Sequence, residues 1–188
     1  MGASRGCALS VALPADAGVK VSVAELDAMP ESQAASLLAD CCGSSRWVSG
    51  MLGRRPFGNR DAVFASADDI WRSLDASDWW EAFSHHPRIG ERASAMPQSE
   101  RGSAWAADEQ SAVGRSDDET LAALATANGE YERRFGYIYI VFATGKTSEE
   151  MLALARERLR NDPEVELRVA AEEQRKITRL RLEKLLAS

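Results

Sequence analysis

Histidine is scarce in this chain: 188 residues contain two, His85 and His86, side by side. Neighbouring imidazoles diverge, so a zinc or non-haem iron centre built mainly on histidine has little room here and would have to lean on carboxylates. If imidazole does chemistry, it does so at this one place. Cysteine is scarce too. Three residues, of which Cys41 and Cys42 are adjacent, do not make the paired framework of a small secreted protein, and reduced thiols in a cytoplasm are the expectation. No apolar run reaches the roughly 20 residues of a membrane span, and Met1 to Lys20 lacks the continuous apolar core of a signal peptide. Positive charge is short as well, with 23 Lys and Arg against 29 Asp and Glu and a formal charge of −6. The basic residues form no long cluster able to neutralise phosphates. Neither nucleic acid nor membrane is expected as a partner.

What is present is a globular composition, 45% apolar and 28% charged, in a length that suits one domain. Residues 1–20 are rich in Gly, Ala and Ser, carry Pro14 and show no periodicity, so they read as a flexible N-terminal extension to a domain over 21–188. Ser22 with Glu25, Ser116 with Glu119 and Thr147 with Glu150 have the spacing of capping boxes, each opening a helix. Apolar residues at helical spacing predict helices over 31–42, where Gly43 is expected to close the helix in the left-handed conformation, and then around 47–52, 61–74, 77–85 and 105–113. Residues 88–103 read as polar and turn-rich. Asp162 followed by Pro163 opens the last helix. Tyr137 to Phe142 is the one strongly β-prone run, and having no visible partner it is expected as a buried extended segment. The fold class is therefore all-α, a single-domain bundle of about eight helices.

Three residues stand out chemically. His86 sits between a helix end and Pro87, whose ring restricts its backbone, so the imidazole has a fixed exit direction and an ordinary pKa near neutrality, about 6.5. The plain alternative is that the two histidines only bond the last helix carbonyls. Glu109 lies one turn after Trp105, on the side expected to face the core, and is either a working carboxylate or a solvated one. Arg181 follows the apolar stripe of the last helix through Ala170 and Ile177, and either offers a planar fork to a carboxylate or ureido carbonyl, or lays its stem over the core. The cysteine pair, the five tryptophans and the charged run Glu172 to Lys176 read as structural or solvated.

His85-His86-Pro87-Arg88-Ile89-Gly90, Trp105 to Gln110, Glu130 to Tyr137 and Lys176 to Leu182 occur together in the order and approximate spacing of one family. Over about residues 21–186 the chain resembles OHCU decarboxylase, which acts on 2-oxo-4-hydroxy-4-carboxy-5-ureidoimidazoline (OHCU) in urate breakdown. Ser45-Arg46-Trp47-Val48 and Arg54-Arg55-Pro56-Phe57 are similar to the family's opening helices. The resemblance implies an all-helical homodimer without cofactor or metal, releasing carbon dioxide and leaving (S)-allantoin. It also implies catalytic roles for His86, Glu109 and Arg181. Pro87, Ala106, Glu109, Gln110, Tyr139, Val141, Gly145 and Arg181 then fall on ligand-contacting positions. Two departures accompany it. Ala106 stands where the family usually has Ser, removing one hydroxyl contact, and Ile138 stands where Pro is frequent.

Loss of carbon dioxide leaves an electron pair that a neighbouring ring carbonyl can take up as an enolate, so the chemistry calls for orientation and electrostatics from the protein rather than an electron sink. On this reading His86 is the general acid or base, Glu109 fixes hydrogen-bond geometry and Arg181 stabilises developing negative charge. Two rivals have different signatures. A non-catalytic helical module would dock a partner through its Trp-rich helices, and a helical hydrolase acting on a ureido compound would release ammonia or open the ring.

Overall fold

The computed structural model describes residues 20–89, 99–109 and 118–187. The expected N-terminal extension therefore falls almost wholly outside the described residues, as do Gly90, Gln110 and the Ser116 cap. The described residues form nine helices and no sheet: α1 Val23–Ala28, α2 Glu31–Cys41, α3 Ser45–Gly53, α4 Arg60–Ser73, α5 Ala76–Ser84, α6 Glu100–Glu109, α7 Asp118–Phe135, α8 Ser148–Arg158 and α9 Pro163–Leu185. This is the all-α class expected from periodicity.

Local chemistry sets most of the ends. The Ser22/Glu25 and Thr147/Glu150 boxes are formed, and Asp162 caps α9 with Pro163 in its first turn. A further box, Asp75 with Asp78, opens α5 one residue before the Ser77 start that spacing suggested. Aspartate accepts two amide hydrogens there at once, from Ser77 and Asp78.

Two boundaries differ for physical reasons. Helix α6 starts at Glu100, inside the stretch read as turn-rich, because Ser99 Oγ accepts the Gly102 N–H at 3.0 Å and donates to Asp40 at 2.5 Å. A cap tethered to α2 outweighs the low helix propensity of Gly102 and Ser103. Gly43 does not close α2 in a left-handed conformation; positive φ occurs at Gly58, Gly136 and Gly145. The residue is small for another reason, since a Cβ at Gly43 would lie 2.4 Å from Cγ of His85. The chain leaving α2 thus presses on the base of the histidine pair.

Helix α9 is about 35 Å long at roughly 1.5 Å per residue and packs against α2, α4 and α5. Its buried face includes Ala170, Ala171, Gln174, Ile177, Thr178, Arg181, Leu182 and Leu185. Trp71 donates its indole N–H to Ala171 O at 3.0 Å, and Trp47 donates to Ala67 O at 3.1 Å, so these two tryptophans have structural roles. The ends of the domain meet: Val21 pairs with Leu186 as an isolated parallel bridge, with Val21 N to Leu185 O at 2.9 Å.

Between α7 and α8 the chain runs extended, burying Tyr137, Tyr139, Ile140, Val141 and Ala143. With no strand beside it, its polar groups are met from helices instead. Arg158 of α8 donates to Ile140 O at 2.8 Å, Tyr139 Oη donates to Met151 O at 3.2 Å, and Glu173 of α9 accepts the Phe142 N–H at 2.8 Å.

Candidate active site

A pocket open to solvent lies among the exit of α5, α6, α9 and the extended segment, and His86, Ala106, Glu109, Tyr139, Val141 and Ile177 are among its walls. Pro87, Ile89, Ile140 and Phe142 to Thr144 complete the lining. Histidine and glutamate are thus brought together from positions 23 residues apart, on the two sides of a stretch that reads as irregular in sequence.

His86 reaches the pocket because α5 ends at Ser84 and Pro87 prevents its continuation. The exit is pinned from α7: Asn128 donates to Ile89 O at 3.2 Å, and Arg88 makes a forked pair with Glu132 at 3.0 to 3.1 Å. The His86 ring is buried. Burial, then the positive charge of Arg181, pull its pKa well below the ordinary value, His85 adding in the same direction and Gln174 opposing. At neutral pH the ring is therefore an uncharged imidazole with a lone pair on one nitrogen. The backbone N–H of His85 closes α5, donating to Ala82 O and Phe83 O.

Glu109 is the last residue of α6 and shares its buried face with Gly102, Trp105 and Ala106. It is buried rather than solvated, and Arg181 explains how. The guanidinium holds both carboxylate oxygens, Nε to Oε1 at 3.1 Å and Nη2 to Oε2 at 2.9 Å, while Nη1 donates to Asp40 O at 3.3 Å. Lys184 Nζ lies 3.9 Å from Glu109 Oε1. A bidentate fork of this kind fixes the plane of the carboxylate as well as its charge.

The pocket wall includes His86, Pro87, Ala106, Glu109, Tyr139 and Val141 from the sequence-derived set. Arg181 stands one layer back, its fork occupied by Glu109, and does not line the pocket. Gly145 lies beyond Thr144 with φ +81°, in the turn that ends the extended segment, and is also off the wall. Gln110 lies outside the described residues. Ile177 entered the sequence argument only as a spacer, yet it lines the pocket.

Within the run Glu172 to Lys176 two residues are structural rather than solvated. Gln174 is completely buried, and Glu173 holds the extended segment through Phe142. The available signal was a polar residue seven before Arg181 on the apolar stripe of α9. The cysteine pair is free and buried, and burial raises the Cys42 thiol to about 12. A thiol so raised is a poor nucleophile. Among the described residues no group of three or more His, Cys, Asp or Glu side chains is placed to hold a metal ion.

A family model described as OHCU decarboxylase matches residues 27–183. The chain is 37% identical over 147 residues to the uric acid degradation bifunctional protein TTL of Arabidopsis thaliana, covering 78% of this chain and 45% of the relative. It therefore spans under half the length of that protein. It is 31% identical over 137 residues to a 2-oxo-4-hydroxy-4-carboxy-5-ureidoimidazoline decarboxylase of Amia calva, covering 70% of this chain and 75% of the other. Among solved structures, a crystal structure of OHCU decarboxylase in the presence of (S)-allantoin superposes with a TM-score of 0.70 at 36% identity, covering 81% of this chain and 99% of that one.

Proposed function

The chain belongs to the OHCU decarboxylase family, and on that footing we propose that it decarboxylates OHCU to (S)-allantoin in urate breakdown. The single observation that carries the reading is a buried, uncharged imidazole sharing one small pocket with a carboxylate whose orientation an arginine fixes.

The bond between the ring carbon and the carboxylate breaks, carbon dioxide leaves, and the electron pair stays in the unsaturated ring as an enol or enolate. A proton then returns to carbon, so that one carboxylate and one proton become one C–H bond and one carbon dioxide. His86 accepts a hydrogen bond or proton from the substrate hydroxyl and hands a proton back as acid. Glu109 accepts from the substrate's hydroxyl or ureido N–H groups, and its charge is balanced by Arg181, so an anionic substrate does not meet a net negative wall. Arg181 is then a positioning residue acting through Glu109. Backbone groups of the segment 139–144 and the side chains of Ile177 and Val141 shape the rest of the cavity, and protonation from one face gives one enantiomer.

This reading also takes residues 21–188 as one domain, supported by the pairing of its two ends and the family match over 27–183. It takes the enzyme to be a homodimer, as the resemblance implies, working in the cytoplasm, as its few unpaired cysteines suggest. No helix among the described residues is long and apolar enough to cross a membrane. Sedimentation of the purified protein and fractionation of cells check the dimer and the compartment.

The test of the activity is direct. Freshly generated OHCU is supplied and both carbon dioxide release and the circular dichroism of the product are followed. Accelerated formation of (S)-allantoin is expected; ammonia or ring opening would indicate a hydrolase, and no turnover a non-catalytic module.

A further inference from the structure

Helix α9 presents a buried strip of side chains to the region behind His86, spaced by three and four residues: Gln174, Ile177, Thr178 and Arg181. Gln174 is fully enclosed. Its amide nitrogen donates to Thr178 Oγ1 at 3.3 Å, and the Thr178 hydroxyl in turn serves the Cys42 sulfur. The amide is thereby oriented, with Oε1 as its open end. That oxygen is buried without a hydrogen-bond partner, and the Gln174 side chain is close enough to the His86 ring to act on it. A buried carbonyl oxygen requires a donor, and the neighbouring His86 ring has an N–H to give.

We propose that Gln174 is a positioning residue for His86, its side-chain oxygen claiming one ring N–H so that the lone pair stays on the other ring nitrogen, available to the pocket. A neutral imidazole can carry its proton on either nitrogen, and a second-site acceptor decides which. The use made of that lone pair rests on the decarboxylase reading; the tautomer itself is a property of the resting protein.

The charged and polar groups around the ring can be named: Arg181 and Gln174 on α9 and His85 act on it, and Glu109 on α6 and Tyr139 of the extended segment share its pocket. Of these, Arg181 and His85 oppose protonation of the ring, whereas the Gln174 oxygen favours it. Removing that oxygen lowers the acid limb of the rate profile, and replacing the amide by a carboxylate raises it.

The experiment is nitrogen NMR of the full chain labelled at histidine, assigned against His86→Asn, together with pH–rate profiles. In the unsubstituted protein His86 should show one protonated and one bare nitrogen, a single tautomer. Gln174→Met, similar in size but without an acceptor, should give mixed or inverted tautomers. Its kcat should fall on the order of a hundredfold with KM little changed, and its acid limb should move to lower pH. Gln174→Glu should keep the single tautomer and move the limb to higher pH. Mixed tautomers in the unsubstituted protein, or an unchanged ring spectrum in Gln174→Met, overturn the proposal. Should Gln174→Met fail to fold, the unsubstituted spectrum and Gln174→Glu decide. A single tautomer in a protein that does not turn over OHCU would overturn the decarboxylase reading and leave this one standing.

Discussion

Arg181 grips both oxygens of Glu109 across 72 residues of sequence, and both side chains are buried. Such a pair contributes orientation more securely than it contributes net stability, because the cost of burying two charges offsets most of their attraction. Breaking it is different, since the partner left behind is a buried charge that has lost its hydrogen-bonded counter-charge, with Lys184 Nζ only as near as 3.9 Å from Glu109.

Arg181→Lys is therefore not conservative. Lysine keeps the charge but cannot supply the two-pronged contact, so turnover should fall, whereas Arg181→Met, which removes the charge, should cost about 3–5 kcal/mol, visible as a lower thermal midpoint. The double change Glu109→Gln with Arg181→Met should recover much of the midpoint and none of the activity. If the double variant were as unstable as Arg181→Met alone, the account of the pair as an offsetting couple would be wrong.

His86→Ala should lower turnover by about 10²- to 10⁴-fold and leave helical circular dichroism unchanged, since the residue lies outside the helices. Near-normal turnover would remove His86 from the chemistry.

The pH dependence follows from the direction of the His86 shift. The folded ring has a depressed pKa, so below its ordinary value of about 6.5 the unfolded chain binds a proton that the folded chain refuses. This contribution to stability is complete above that pH and is lost progressively as pH falls toward the folded value. Between pH 7.5 and 5 the melting temperature should fall more steeply in the unsubstituted protein than in His86→Asn. Parallel slopes would contradict the burial of an uncharged ring. Turnover, for the same reason, should hold through pH 6 and drop only at more acid values.

A second buried network braces the pocket wall from behind. Arg158 donates to Glu166 Oε1 at 2.8 Å and to Ile140 O at 2.8 Å, while Tyr131 donates its hydroxyl to the same Glu166 oxygen. Arg158→Met should cost about 3–5 kcal/mol by leaving Glu166 unpaired and should raise KM, because the carbonyl of Ile140 loses its anchor. Adding Glu166→Gln should restore stability more than it restores KM.

Gly43→Ala tests a contact that helix-ending rules do not anticipate. The new methyl would meet Cβ and Cγ of His85, the stem of the ring rather than its flexible end. The histidine pair must then shift, and turnover should fall by more than tenfold, a misplacement of about an ångström being enough. Full activity would show that the segment gives way at no cost to the site.

The elements legible in sequence were those decided by short-range chemistry. Capping boxes and Asp162-Pro163 mark helix starts because the bonds they make close within three or four residues. The exit at Pro87 is equally local. Helix α6 was misjudged at its start because its cap, Ser99, is tethered to Asp40 on another helix, a bond that no window of sequence contains.

Composition and local spacing thus determined an all-helical domain with one unpaired extended segment and a single place where imidazole could act, since two adjacent histidines allow no other. Tertiary structure alone decided that His86 is held uncharged, that Glu109 is buried in the grip of Arg181, and that Gln174 is buried near His86. Each of these depends on desolvation and on charges brought within a few ångströms from distant parts of the chain, and those distances exist only once α9 has packed against the rest.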